Sequence, residues 1–233
     1  MNCPKLFVYD LETTGLSLDC GVHQIAGVIC EVQPKQFKVL KTFNYKVRPF
    51  KGDRVYQEAL SVGGVTLDEI AKYTPPEEVY KNLKGTILTV IDKFNKEDKL
   101  TLVGFNSLHF DNDHLRNFFS KNGDKFFGSY FWSGGIDVMS EANRVLLNYR
   151  PYMPNFKLAT VAEYLGIETK PEELHDALYD IMTTIKIFAC CLKNPEIKSL
   201  DGANISEMKN KVIEYKEKQK KEFKKASGEY VVF

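Results

Sequence analysis

An α/β fold, a mixed sheet flanked by helices, is predicted by three observations. An apolar strand opens the chain, two extended segments follow it, and strand then alternates with helix. Residues 6–9 are a short apolar run that ends at Asp10 and reads as a buried strand. Residues 24–32 and 37–47 continue as two strands of a meander, divided by a turn at Pro34. Across residues 77–94, Val79, Leu83, Ile87, Val90, Ile91 and Phe94 recur at helical spacing. Residues 100–105 return to strand. Residues 111–119 read as a helix with Leu115, Phe118 and Phe119 on one side, and residues 136–147 and 158–165 as two more. A long helix with an apolar face over residues 176–192 stops before Asn194 and Pro195.

With 233 residues, 43% of them hydrophobic, the chain can bury one substantial core. One domain is therefore expected over residues 1–196, followed by a lysine-rich helix or tail over residues 197–233. Net charge is only +1, from 32 Lys and Arg against 31 Asp and Glu, so any binding of nucleic acid has to rest on a local patch. The five cysteines, Cys3, Cys20, Cys30, Cys190 and Cys191, show no CxxC spacing and suit a reducing compartment. The first twenty residues carry Asp10, Glu12 and Asp19, which fits neither a signal peptide nor a membrane helix. A cytoplasmic protein without a membrane partner is expected.

Three carboxylate motifs carry the chemistry: Asp10-Leu-Glu12-Thr-Thr-Gly15, Asn106-Ser-Leu-His-Phe-Asp111 and His175-Asp-Ala-Leu-Tyr-Asp180. Residues i and i+2 of a strand share a face, so Asp10 and Glu12 project side by side from the end of the first strand. Paired carboxylates resist ionisation unless a cation lies between them, and hard oxygen donors suit Mg²⁺ or Mn²⁺ better than zinc. Gly15 lets the backbone come close to a substrate. Asp111 opens a helix, where an acid also serves as a cap. Asp180 lies within a largely apolar helix, which leaves it either exposed or functional. His175 precedes that helix, and imidazole is a general base suited to neutral pH. Each motif alone is weak; their order and context together are specific.

As a set, the motifs resemble the DEDDh branch of the 3′→5′ exonucleases. That branch includes the proofreading epsilon subunit of bacterial DNA polymerase III, oligoribonuclease and the mammalian three-prime repair exonucleases. The family pattern D-x-E-T-T-G matches Asp10 to Gly15, and H-D-A-x-x-D matches His175 to Asp180. N-x-x-F-D matches Asn106 to Asp111 with one additional residue before Phe110. Residues 58–66 and 155–167 resemble the linking segments of that family, and the likeness runs over residues 5–192. The resemblance implies a ribonuclease H-like three-layer fold with a mixed five-stranded sheet. It also implies that Asp10, Glu12, Asp111 and Asp180 hold two Mg²⁺ (or Mn²⁺), with His175 taking the proton of the attacking water. Thr13, Thr14, Gly15, Leu16, Asn106 and Phe110 would then bind the terminal nucleotide. The substrate implied is a single-stranded 3′ end, DNA favoured over RNA, released as nucleoside 5′-monophosphates.

Bland readings stand beside these. Leu16 and Phe110 read both as core packing and as substrate contacts. Asn106 reads also as an anchor for its loop, and Asp176 as a helix-start hydrogen bond. His23, His109 and His114 read as surface or packing residues. The aromatic cluster of Phe126, Phe127, Tyr130, Phe131 and Trp132 reads as core or cover, with base stacking as the alternative. Residues 209–225 hold eight lysines and three glutamates behind a stripe of Ile205, Met208, Val212 and Tyr215. That tail reads as a partly docked, solvated helix, or else as a phosphate-binding arm or docking peptide ending at Tyr230 to Phe233. A proofreading or binding subunit of a polymerase or RNA-processing complex, acting mainly through that partner or another replication or repair protein, is the second functional reading. An idle copy of the fold should have lost some of the five residues, and all five are present.

Overall fold

The computed structural model describes residues 3–33, 36–107, 109–170 and 177–193. His175, Asp176, the turn at Pro34 and the tail lie outside them. β1 (Lys5–Thr13), β2 (Val22–Gln33) and β3 (Gln36–Lys46) form an antiparallel meander. β4 (Leu100–Gly104) and β5 (Ile136–Asp137) run parallel to β1 on its other side, in the order β3-β2-β1-β4-β5. This is the mixed five-stranded sheet. Among the described residues no helix is long and apolar enough to cross a membrane.

Two apolar clusters hold three layers together, and the alternation of β1 assigns its side chains between them. Phe7, Tyr9 and Leu11 point to the face covered by α3 (Pro76–Leu88) and α4 (Asp111–Lys121), where they join Leu83, Leu115 and Phe119. Leu6 and Val8 point to the face covered by α5 (Val138–Val145), α6 (Leu158–Tyr164) and α7 (Ala177–Lys193), where they join Ala142, Val161 and Ile181. Helices on both faces explain why the central strand is apolar almost throughout rather than alternating. Phe127, Tyr130 and Phe131 belong to the first cluster, whereas Phe126 and Trp132 are exposed.

Three elements differ from expectation. The helix expected over residues 77–94 stops at Leu88. Lys5 Nζ takes the Val90 carbonyl at 2.7 Å, Ile91 reaches the core from a turn, and Phe94 is left exposed. Residues 136–147 begin as β5, and the helix starts only at Val138, capped by Asp137 accepting from the Met139 N–H. Between β3 and α3, where residues 58–66 resemble a linking segment, lie two short helices, α1 (Gln57–Val62) and α2 (Leu67–Ile70). Thr66 and Glu69 close a reciprocal capping box at the start of α2.

Candidate active site

Asp10 and Glu12 share the β1 face that carries Leu6 and Val8, so both point to the layer of α7. Their partners on β2 are Ala26 and Gln24. Asp180, in the first turn of α7, lines a cavity of about 150 Å³ together with Asp10, Tyr9, Phe105 and Leu158. Asp111 is the first residue of α4, delivered by the turn that leaves β4; the cap position itself is Phe110. Acids from a strand and two helices on opposite faces thus converge at the end of the sheet.

Their electrostatics report the convergence. Burial holds the Asp10 carboxyl well above the usual range, and the charges of Asp111, Glu12 and Asp180 raise it further. Burial pushes Asp111 up to about 7, against backbone N–H groups at Asp111 and Leu11 that favour its ionised form. Glu12 adds to the rise. Tyr9 is raised well above the ordinary phenol by burial and by the charges of Asp111, Asp10 and Asp113, and its hydroxyl donates to Asn112 at 2.5 Å. Among the described residues no three His, Cys, Asp or Glu side chains close into a ready-made metal shell. The donor set is nonetheless all oxygen, acidic and mutually repelling, which fits a hard divalent cation.

Beside the acids opens a cleft of about 610 Å³. Of the expected substrate residues, Thr13, Gly15, Leu16 and Phe110 line it together with Glu12. Leu16 is 87% exposed, which leaves its core-packing reading without support. Thr14 turns inward instead: fully buried, its hydroxyl donates to the Arg54 carbonyl at 2.6 Å and accepts the Gly21 N–H at 2.8 Å. The Tyr56 N–H donates to the Thr14 carbonyl at 2.8 Å, strapping the loop from the far side. Gly15 is also required by the protein itself, since a Cβ there would lie 2.5 Å from Cys20 Sγ and 2.6 Å from the Tyr56 ring. Asn106 is exposed in a left-handed turn at φ 61°. Its N–H donates to Asp137 Oδ1 at 2.9 Å, so backbone rather than side chain anchors that loop.

The other wall of the cleft is Tyr56, Glu58, Ala59 and Val62, from α1 and the residue before it. The sequence marks none of these four as site residues. Gly63, at the C-cap of α1, is the signal for the end of that helix, while the Thr66-Leu-Asp-Glu69 capping box marks the start of α2 behind it.

A family model of the RNase T type, described as exonuclease, matches residues 7–188, and the chain belongs to that family of 3′→5′ exonucleases. Ribonuclease T of Baumannia cicadellinicola subsp. Homalodisca coagulata is 25% identical over 209 residues, covering 80% of this chain and 82% of that protein. E. coli exonuclease I, solved in complex with a dT13 oligonucleotide, aligns at a TM-score of 0.61 and 20% identity over 82% of this chain. Exonuclease I from Methylocaldum szegediense aligns at 0.65 and 20% identity over 84% of this chain. The chain spans 41% and 42% of those two structures, which share its ribonuclease H-like sheet and layers.

Proposed function

We propose that the chain is a metal-dependent exonuclease that removes nucleotides from the 3′ end of single-stranded nucleic acid, DNA in preference to RNA, within a unit spanning residues 1–196. The observation that carries this reading is the convergence of Asp10, Glu12, Asp111 and Asp180 beside a cleft that Glu12 itself lines. Two Mg²⁺ ions, with Mn²⁺ able to substitute, would be held by those four acids. When bound they supply Lewis-acid charge that lowers the pKa of water and offsets the charge on the leaving 3′-oxygen. His175 takes the proton of the attacking water as the bond from phosphorus to the 3′-oxygen breaks, giving a nucleoside 5′-monophosphate. Thr13, Gly15, Leu16 and Phe110 seat the terminal nucleotide, with the exposed Leu16 pressing on its base. A paired duplex end would have to fray to enter.

Preference for DNA draws on the dT13 oligonucleotide of one structural relative. RNA is a second reading, favoured by the ribonuclease T match over most of both chains. The test is digestion of 5′-labelled single-stranded DNA and RNA of equal sequence with Mg²⁺, Mn²⁺ or EDTA, alongside His175→Ala. A metal-dependent ladder shortening from the 3′ end, lost in the variant, is expected, with DNA the faster substrate. No cleavage of either would overturn the proposal, and faster RNA cleavage would reverse the preference.

A further inference from the structure

His114, on α4, is 2% exposed and sits behind the cleft rather than in it. Its ring meets that of Phe110 at a centroid separation of 4.5 Å and an angle of 52°. A ring nitrogen faces the Leu16 carbonyl, which favours the protonated imidazole, although burial has the larger, opposite effect. Yet among the described residues neither Nδ1 nor Nε2 closes a hydrogen bond of ordinary geometry. A buried imidazole in that condition is a standing cost that an apolar side chain would avoid. The two groups it meets, Phe110 and Leu16, both line the cleft.

We propose that His114 is a positioning residue for the terminal nucleotide, backing the Phe110 ring while its N–H closes on the Leu16 carbonyl when Leu16 is pressed inward. The proposal rests on the reading of this cleft as the seat of that nucleotide. A trans peptide points its carbonyl and N–H in opposite directions. A Leu16 carbonyl held toward α4 therefore turns the Ser17 N–H away from α4, and Ser17 is itself a cleft residue. One imidazole would thus set both an aromatic surface and a peptide plane. Its hydrogen bond would be completed by substrate binding, which spends the buried donor on recognition rather than on folding.

Steady-state kinetics on a 5′-labelled single-stranded oligonucleotide, with melting temperatures, test the idea. His114→Phe keeps a ring against Phe110 but has no N–H; KM should rise about tenfold, the cost of one hydrogen bond, with kcat changed less than twofold and no fall in Tm. His114→Asn, which restores an N–H, should recover most of the KM despite the lost ring. His114→Leu, also without a donor, replaces the Phe variant should that chain not fold. An unchanged KM in the donorless variants would overturn the proposal. So would a fall in Tm with no recovery in His114→Asn, the mark of packing alone. A wild-type protein that neither binds nor cleaves the oligonucleotide would remove the reading of the cleft and the proposal with it; an active wild type beside an unaffected His114→Phe would remove the proposal alone.

Discussion

Asp10 of β1 and Asp180 of α7 line one cavity of about 150 Å³, so the sheet and α7 each bring a carboxylate to the same space. Burial together with Asp111, Glu12 and Asp180 makes ionisation of Asp10 costly in the metal-free protein. A divalent cation should relieve that cost and raise Tm by mass action, by roughly 5–10 °C at a hundredfold excess over its dissociation constant. Asp10→Asn should melt no lower than wild type in EDTA, lose most of the metal-induced rise, and lose activity by roughly two orders of magnitude. Thermal melts with and without Mn²⁺, beside the digestion assay, check this.

Asp111 is pushed up to about 7 in the folded chain from an ordinary 3.8. A carboxyl raised on folding contributes stability that is fully present below its unfolded pKa and lost as pH climbs through the folded value. Metal-free wild type should therefore lose up to about 4 kcal/mol from this group between pH 4 and 7. Asp111→Asn should remove that slope in urea titrations at fixed pH.

His23 acts in the opposite sense. It is 1% exposed, and burial, seconded by the charge of Lys46, lowers its pKa from 6.5 to about 4. Its stabilising neutral form is fully favoured above the unfolded pKa, and the contribution is lost as pH falls from 6.5 toward 4, by up to about 3 kcal/mol. The ring lies by Gly63, at the end of the helix that walls the cleft. His23→Leu should flatten the acid limb of the stability curve, most visibly in the Asp111→Asn background.

The loop behind the cleft gives a prediction without charge. Thr14→Val leaves the Arg54 carbonyl and the Gly21 N–H without their buried partner, at about 1–3 kcal/mol each. Gly15→Ala forces Cys20 and Tyr56 apart, a crowding worth about 1–3 kcal/mol. Both should lower Tm and raise KM, because the same loop carries Leu16. A lowered Tm with an unchanged KM would mean that the loop can deform without disturbing the cleft.

Much of this was legible in the sequence, and the exceptions have physical reasons. β1 and the two strands after it declare themselves by apolar runs, and the three carboxylate motifs mark the element ends that converge. Ile136-Asp137 did not declare itself, since two residues at the mouth of a helix carry no period of their own. Val90, Ile91 and Phe94 kept helical spacing beyond the true helix end, where Lys5, remote in sequence, takes the Val90 carbonyl. Thr14 sits in a motif of cleft residues yet faces inward, and only the approach of residues 54–56 reveals it. Periodicity reports a segment's own preference, whereas these positions are decided by distant partners.

The division of the acids between layers bears on when the chain can begin to cut. Asp10 and Glu12 arrive with the first strand, Asp111 with a helix on one face of the sheet, and Asp180 with α7 on the other. During synthesis, three of the four therefore leave the ribosome well before α7 brings the fourth. On the proposed assignment a nascent chain lacks its fourth carboxylate, and becomes a nuclease only once α7 has packed against the sheet.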